Sequence, residues 1–223
     1  MSRLALKTHS VGPCLLDFTL RLSLNNMSAT PPLSNLTLQD LCRVNIVGTS
    51  GSGKSTFARR LALLLDVPYI EMDQLYHGPN WTEPEPEVFR ERLEQALTGE
   101  QWVLDGNYHS KTYDVKWPKT QTVVWLDPSF ALNLWQAVTR AIHRAWTKKE
   151  LWPGTGNRET FRKSFLSRES VVLWTITSYY RLQHRYGAVQ QNPPYEHLKF
   201  VRLKGRSAAE QFLNQVEELA VSS

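Results

Sequence analysis

Apolar and polar residues follow two patterns along the chain, and together they predict alternating strands and helices. Short apolar runs, typical of strands buried on both faces, occur over residues 43–48, 67–73, 101–105, 121–127 and 197–203. Between them lie longer stretches in which apolar residues recur every three or four positions, which is the spacing of an amphipathic helix. Strands that alternate with helices predict an α/β protein with a parallel sheet and helices on both faces.

The helical stretches are predicted over residues 56–66, 86–97, 128–146 and 167–186, and from residue 207 onward. Pro128 falls in the first turn of the third helix, where its missing N–H group is tolerated. Gly99 is expected to cap the second helix at its C-terminus. Ser207 and Glu210 have the spacing of a capping box, and this predicts that the last helix starts there.

The composition is that of an ordinary globular protein. Of the 223 residues, 41% are apolar, which is enough for a sizeable core. Only two residues are cysteines, Cys14 and Cys42, so we expect a reducing compartment and a cytoplasmic protein. No apolar run reaches the ~18 residues of a membrane-spanning helix, and we expect no membrane partner. The net charge of +5 suits a nucleic acid or a polyphosphate equally, and the sequence leaves monomer and homodimer open.

Residues 1–38 differ from the rest of the chain. They are rich in Ser, Thr, Leu and Asn, and their only acid is Asp17. Such a composition is typical of a transit peptide, but it equally fits a disordered tail, or a start assigned too early with Met27 as the initiator. We favour the last two interpretations and predict that the folded domain comprises residues 39–223.

The most specific motif lies between the first predicted strand and the first predicted helix. Gly48-Thr-Ser-Gly-Ser-Gly-Lys54-Ser55 fits the P-loop pattern G-x-x-x-x-G-K-[ST], whose backbone N–H groups bind phosphate oxygens. Lys54 is expected to reach the β- and γ-phosphates, and Ser55 to bind Mg²⁺. We therefore predict a site for ATP or GTP with Mg²⁺, formed by Gly48, Thr49, Ser50, Gly51, Ser52, Gly53, Lys54, Ser55 and Thr56.

Three aspartates close predicted strands, at the edge where ligands gather in an open parallel sheet. Asp73 is a candidate to orient or deprotonate an acceptor hydroxyl group, or to bind Mg²⁺ through water. Asp105 is a candidate to hold the water shell of the metal, or the acceptor. Asp127 directly precedes Pro128, and we expect it to cap the following helix.

Basic residues cluster after the fourth predicted strand. Residues 140–168 contain eight Lys or Arg and only two acids. Arg140 and Arg144 are four positions apart and hence share a helix face, and Arg158 and Arg162 have the same spacing. Phosphoryl transfer requires positive charge around the transferred group. We therefore interpret this stretch as a mobile flap over the nucleotide, in preference to a solvated basic helix.

Tryptophans are frequent in this chain, which contains eight of them. Trp81 and Trp117 fall in polar segments and are candidates to line an acceptor pocket. Four others fall within strand or helix patterns and are expected in the core, namely Trp102, Trp125, Trp135 and Trp174.

Three further segments distinguish this chain among P-loop proteins. They are Met72-Asp-Gln-Leu-Tyr-His-Gly-Pro-Asn-Trp81, Trp102-Val-Leu-Asp-Gly-Asn-Tyr108 and Val124-Trp-Leu-Asp127. With the P-loop, they make residues 43–215 resemble the adenylate-kinase-related proteins called DNA topology modulation proteins. The resemblance implies the three-layer fold of P-loop nucleoside monophosphate kinases, with a five-stranded parallel sheet in the order 2-3-1-4-5. It also implies a helical lid over about residues 147–168.

One departure from adenylate kinases concerns the acceptor. Those enzymes carry Asp-Gly-Phe-Pro-Arg after the third strand, whereas this chain has Asp105-Gly-Asn-Tyr-His109. The arginine that binds the acceptor's phosphate is missing at that place, and this argues against AMP as the acceptor.

Together these features predict an ATP- and Mg²⁺-dependent phosphotransferase acting on a nucleotide or another small molecule. Its expected catalytic residues are Lys54, Asp73, Asp105, Arg140, Arg144, Arg158 and Arg162, with Ser55 and Asp105 at the metal. The alternative is a nucleotide-dependent regulatory module with little kinase activity, which touches DNA through its basic surface.

Overall fold

Five parallel strands form the centre of the fold. The computed structural model describes residues 36–147, 150–152, 154–157 and 171–221, with the backbone alone for residues 171–174. The strands are β1 (Arg43–Gly48), β2 (Tyr69–Glu71), β3 (Trp102–Asp105), β4 (Thr122–Leu126) and β5 (Lys199–Leu203). They pair in parallel in the order β2-β3-β1-β4-β5, which confirms the α/β fold class and the implied strand order.

Helices connect these strands. They are α1 (Lys54–Leu65), α2 (Met72–Tyr76), α3 (Pro86–Ala96), α4 (His109–Lys116), α5 (Phe130–Thr147), α6 (Val171–Gln191) and α7 (Gly205–Val221). The sequence patterns do not predict α2 and α4. The first has only five residues, and the second has few apolar residues from which a face could be recognised.

The helices cover both faces of the sheet, so the fold has three layers. On one face, α1 and α7 bury Phe57, Leu61 and Phe212 against the strands. On the other, α3, α4 and α6 bury residues such as Phe89 and Tyr186. No helix in the described part of the chain combines the length and apolar character that crossing a membrane requires.

Two predicted helix caps are wrong. Helix α3 ends at Ala96, and Gly99 lies beyond it without a left-handed conformation. Helix α7 already begins at Gly205, so Ser207 and Glu210 lie inside the helix and form no capping box. The Glu210 carboxylate instead accepts hydrogen bonds from the guanidinium of Arg60 on α1, the shorter at 2.7 Å. A partner on a neighbouring helix thus takes the side chain that local spacing assigns to a cap.

Asp127 does not cap the helix that follows it, contrary to the prediction. Helix α5 begins three residues later, and near its start the Ser129 hydroxyl oxygen accepts a hydrogen bond from the Leu132 N–H group. The Asp127 carboxylate pairs with the guanidinium of Arg202 at 2.5 Å and also accepts a hydrogen bond from Gln183. Its role is therefore to join β5 and α6 to the end of β4.

Residues 36–38, which the prediction assigns to the N-terminal segment, contact the domain. Leu36 packs against the core. The N–H and hydroxyl groups of Thr37 both donate to the Asp40 carboxylate at 2.8 Å, at the start of a short 3₁₀ helix over Leu38–Leu41. The predicted boundary after residue 38 therefore cuts a capped element. The rest of the predicted N-terminal segment lies outside the described residues.

Some of the predictions for the tryptophans are confirmed and others are wrong. Trp102 and Trp125 are buried in the core, as expected. Trp117 is also buried, so the prediction that it lines an acceptor pocket is wrong. It follows α4 and packs against strand residues such as Val47 and Val123. Trp135 was expected in the core but is 67% exposed, since the opposite face of α5 is the one that packs inward. The side chain of Trp174 lies outside the described part of the chain.

The first residue of α4, His109, has an unusual environment. Its ring stacks on Tyr113 and meets Trp117 edge-on, with ring centroids 5.1 and 4.8 Å away. Burial, assisted by the positive charges of Arg185 and Lys116, lowers the pKa of His109 to about 4. In the unfolded chain the pKa of a histidine is about 6.5. The unfolded state therefore binds more protons between these two values, and the free energy of unfolding falls as the pH falls through them.

We expect the melting temperature to be lower near pH 5 than near pH 7, with part of the difference caused by His109. His109→Phe keeps an aromatic ring but cannot bind a proton, so its melting temperature should change less between the two conditions. The exposed His197 provides the control, since His197→Phe should retain the full difference. An unchanged difference in His109→Phe would contradict this assignment.

Candidate active site

The P-loop lies between β1 and α1, where its motif predicts it. Gly51 and Gly53 have φ angles of 86° and 88°, in the left-handed region that favours glycine, and α1 begins directly after Gly53. Gly51 also packs tightly against α5, because a Cβ atom there would lie 2.9 Å from the Cβ atom of Ala137. Helix α5, which follows β4, therefore packs directly against the P-loop at Gly51.

Lys54 folds back over this loop. Its Nζ atom donates a hydrogen bond to the Thr49 carbonyl oxygen at 2.8 Å. Burial lowers the pKa of Lys54, with Arg140 acting in the same direction, while the carboxylates of Asp105 and Asp73 oppose the shift. The structure therefore brings four of the predicted catalytic residues into one electrostatic environment.

Helix α5 contributes polar side chains to the P-loop. The amide oxygen of the buried Asn133 accepts a hydrogen bond from the Thr49 hydroxyl at 2.7 Å. One Nη atom of Arg140 donates to the Ser50 hydroxyl oxygen at 2.6 Å. Arg144 lies one turn further along the helix and is partly buried. The face predicted to carry two arginines is thus the face that meets the P-loop.

Two buried polar groups of this region have no hydrogen-bond partner within the described part of the chain. They are the Ser52 hydroxyl and the amide nitrogen of Asn133. Such a group costs about 1–3 kcal/mol if it remains unpaired, and both of these can donate to a phosphate oxygen. Ser55 is partly exposed in the first turn of α1, at the P-loop position whose hydroxyl group would bind Mg²⁺. This set of donors and ligands fits a magnesium nucleotide.

Asp105 ends β3 beside the P-loop strand, paired in register with Ile46 of β1. It is only 4% exposed, and its carboxylate accepts a hydrogen bond from the Tyr69 hydroxyl at 3.0 Å. Burial, together with the charges of Asp105 and Glu71, raises the pKa of Tyr69, so that this phenol remains a donor. A buried carboxylate one strand away from the P-loop suits the predicted support of a metal.

Asn107 is a site residue that the sequence analysis does not single out. Its side-chain oxygen accepts a hydrogen bond from the Gly48 N–H group at 3.0 Å, and its side-chain nitrogen donates to the Gly48 carbonyl oxygen at 2.7 Å. The Tyr186 hydroxyl donates to the same side-chain oxygen at 3.2 Å. This two-point contact fastens the first residue of the P-loop to the turn after β3. The motif Asp-Gly-Asn-Tyr contains the residue, but local spacing does not reveal its partner.

The prediction that Asp73 closes the second strand is wrong. Asp73 lies in the first turn of α2. Strand β2 ends at Glu71, and the helix begins at the next residue. The Asp73 side chain is exposed, and it accepts a hydrogen bond from the Tyr108 hydroxyl at 2.8 Å. Because β3 separates β2 from β1, Asp73 lies to the side of the P-loop. Its charge still acts on Lys54.

Next to Asp73, five aromatic side chains contact one another in a cluster that we call the aromatic wall. Three of them, Tyr108, His77 and Trp81, are partly exposed, whereas Tyr76 and Trp152 are buried. Neighbouring ring centroids are 4.9 Å apart for Tyr108 and Tyr76, 5.0 Å for Tyr76 and His77, and 5.3 Å for His77 and Trp81. Trp152 stacks on His77 at 5.7 Å. Trp81, predicted to line an acceptor pocket, therefore lies on the same side of the site as Asp73.

Trp152 and Asn157 belong to the stretch predicted as a lid. The side-chain oxygen of the fully buried Asn157 accepts a hydrogen bond from the Trp81 N–H group at 2.7 Å, and its nitrogen donates to the Gly78 carbonyl oxygen at 3.0 Å. Both contacts are to backbone groups, so this part of the stretch holds the loop that carries Trp81.

Most of the predicted lid, residues 147–168, lies outside the described residues, including Arg158 and Arg162. The functions assigned to these two arginines, and the closure of a lid over the nucleotide, therefore stay predictions.

Several solved structures are similar to this chain. They include a gluconokinase from Sinorhizobium meliloti 1021 (TM-score 0.46, 15% identity, 82% of this chain and 93% of that one). A shikimate kinase from Acinetobacter baumannii has a TM-score of 0.45 and 15% identity, over 87% of this chain and 98% of that one. A shikimate kinase from Bacteroides thetaiotaomicron has a TM-score of 0.44 and 18% identity, over 79% and 97%. No protein-family model and no curated protein matches the chain.

Proposed function

We propose that this protein transfers the γ-phosphoryl group of ATP to a hydroxyl group of a small-molecule acceptor. The observation that carries the proposal is the set of charged side chains around the P-loop. Lys54 donates to the Thr49 carbonyl oxygen, Arg140 donates to the Ser50 hydroxyl oxygen, and the carboxylate of Asp105 ends the neighbouring strand β3. Phosphoryl transfer needs such a combination, with positive charge for the nucleotide and a carboxylate for the acceptor.

On the nucleotide side, the P-loop N–H groups and Lys54 bind the phosphates, and Arg140 neutralises the transferred charge. The contact of Arg140 with Ser50 of the P-loop supports this role. Ser55 and Asp105 are the residues that would hold Mg²⁺, directly or through water. When bound, Mg²⁺ would neutralise part of the negative charge of the phosphates.

On the acceptor side, Asp73 aligns the hydroxyl group and takes its proton. The hydroxyl oxygen forms the new bond to the γ-phosphorus while the bond to the bridging oxygen breaks, and ADP leaves. Tyr108 keeps the Asp73 carboxylate in place through its 2.8 Å hydrogen bond. Lys54 meanwhile stabilises the charge that develops on the leaving phosphate.

The described groups on the acceptor side favour an uncharged acceptor that contains a ring. The carboxylate of Asp73 accepts a hydrogen bond from the hydroxyl group of Tyr108 in the aromatic wall. The ammonium of Lys111 is engaged by the Tyr76 hydroxyl, which itself donates to Glu83 at 2.5 Å. Carboxylates accept hydrogen bonds from hydroxyl groups but repel phosphate, and aromatic faces pack against the rings of nucleosides and cyclic sugars. We therefore propose a nucleoside or a cyclic polyol.

The test uses matched pairs of acceptors with the full-length chain, ATP and Mg²⁺. Each pair contains a neutral compound and its monophosphate, for instance adenosine with AMP, thymidine with dTMP, and glucose with glucose 6-phosphate. We expect a neutral member to stimulate ADP release at least about tenfold over ATP alone, and its monophosphate not to. Faster release with the monophosphates would refute the proposed acceptor class while leaving the phosphotransferase intact.

A different outcome would support the regulatory alternative, which the resemblance to DNA topology modulation proteins raises. The protein would then bind ATP without acceptor-stimulated ADP release across the panel. It would also bind duplex DNA with an affinity that falls steeply as salt increases.

A further inference from the structure

A fully buried lysine lies under the turn that follows β3. Lys116, the last residue of α4, is 0% exposed. Its ammonium donates to the Gly106 carbonyl oxygen at 3.1 Å and to the Asn107 carbonyl oxygen, and it lies 3.7 Å from the sulfur of Met72. The sequence analysis does not single out this residue.

Burial of this ammonium is unfavourable in itself. It lowers the pKa of Lys116 to about 7, and the Asp105 carboxylate only partly opposes the shift. An apolar side chain of similar length would fill the same space without that cost. What the lysine provides, and an apolar side chain would not, is its hydrogen bonds to the Gly106 and Asn107 carbonyl oxygens.

Those groups are not equivalent. The Gly106 carbonyl oxygen has a second donor, the side-chain nitrogen of Asn45 at 3.2 Å. The Asn107 carbonyl oxygen receives its side-chain hydrogen bond from Lys116. Loss of the ammonium would leave the Gly106 carbonyl oxygen with its Asn45 donor, but it would leave the Asn107 carbonyl oxygen without the side-chain donor that orients it. The side chain of Asn107 contacts Gly48.

Helix α2 also packs closely against this turn. Gly106 has a φ angle of 147°, and a Cβ atom there would lie 2.7 Å from the Cβ atom of Met72. The turn thus contacts both α2, which carries Asp73, and the ammonium of Lys116. The Asn107 side chain joins the same turn to Gly48 of the P-loop.

We propose that Lys116 is a positioning residue of the nucleotide site. Its ammonium holds the turn after β3 so that the Asn107 amide fastens Gly48 in the shape that binds phosphate. Lys116 touches neither the P-loop nor Asp73, and it acts through Asn107. This inference rests on the proposed function, because it assumes a nucleotide at the P-loop.

The first test measures the Kd of a non-hydrolysable ATP analogue with Mg²⁺ by calorimetry. Lys116→Met should weaken binding about tenfold, as expected for the loss of a hydrogen bond to a charged group. Lys116→Gln retains an N–H donor and should lie between Lys116→Met and the wild type. Lys119→Met, three residues further along the chain, is the control and should bind as the wild type does.

A double-mutant cycle tests whether Lys116 acts through Asn107. Asn107→Ala removes the amide itself, so Lys116→Met should add no more than about twofold on top of it. Binding by Lys116→Met within twofold of the wild type would overturn the proposal, and so would fully multiplicative effects in the double variant.

Two NMR measurements test these hydrogen bonds directly, without nucleotide. In the wild type, a coupling across the hydrogen bond should join the Lys116 side-chain nitrogen to the Asn107 carbonyl carbon, and its absence would overturn the proposal. In Lys116→Met, the Gly48 amide should exchange faster with solvent even without ligand, and unchanged exchange would also overturn it. A wild-type protein that binds no ATP analogue would instead refute the proposed function.

Discussion

Lys54→Ala is expected to weaken the binding of an ATP analogue with Mg²⁺ by about 100-fold, the order of loss when a buried charged partner is removed. The ammonium rests on the P-loop, 2.8 Å from the Thr49 carbonyl oxygen. Without it, the Asp105 carboxylate beside the P-loop would lose the positive charge that offsets it. Calorimetry with the analogue measures the loss.

The fold of Lys54→Ala should persist. Since burial lowers the pKa of Lys54, its charged form is disfavoured in the folded protein, and its removal should not lower the melting temperature. Arg60→Ala, on the same helix, is the matched control, because Arg60 pairs with Glu210 at the surface and away from the P-loop. A well-folded Lys54→Ala protein with unchanged affinity would refute the phosphate site.

Asp73→Asn is expected to reduce acceptor-dependent ADP release by roughly 10²–10⁴-fold, the range of general acid–base contributions. Asparagine keeps the shape of the side chain but loses the charge and the basicity. ATP affinity should remain close to that of the wild type, because β3 separates β2, which precedes Asp73, from the P-loop strand. Steady-state kinetics with an acceptor identified in the paired screen, together with the Kd of the ATP analogue, measure both quantities.

Two variants accompany this measurement. Tyr108→Phe removes the hydrogen bond that holds the Asp73 carboxylate, and it should reduce turnover less than Asp73→Asn does. Gln74→Ala changes the next exposed residue of α2 and should leave turnover unchanged. A parallel fall in melting temperature would assign Asp73 to the stability of α2. If Asp73→Asn is as stable and as active as the wild type, Asp105 becomes the better candidate for the catalytic carboxylate.

Local patterns were sufficient for most of the fold. The five strands lie within the five predicted apolar runs, because strands buried on both faces leave an unbroken apolar signal. Helices α1, α3 and α5 follow amphipathic stretches, each within two residues of the predicted ends. The strand order came from the resemblance, since apolar runs alone do not specify which strands pair.

Predictions that depended on distant partners were less successful. Asp127 and Glu210 have the local spacing of helix caps, yet each pairs with an arginine on another element. Trp117 was expected in a pocket and is buried, whereas Trp135 was expected in the core and is exposed. Burial depends on how each helix packs against the sheet, which local spacing does not reveal.

The sequence by itself determined the P-loop, the alternation of strands and helices, and the presence of carboxylates near the ends of the second and third strands. These features are encoded in contiguous residues, whose spacing sets backbone conformation and periodicity. Only the tertiary structure decided that Asn107 grips Gly48, that Lys116 supports Asn107, and that Arg140 reaches the P-loop. Each of these contacts is a directional hydrogen bond of about 3 Å or less, and it forms only after the packing of separate elements has brought its donor and acceptor together.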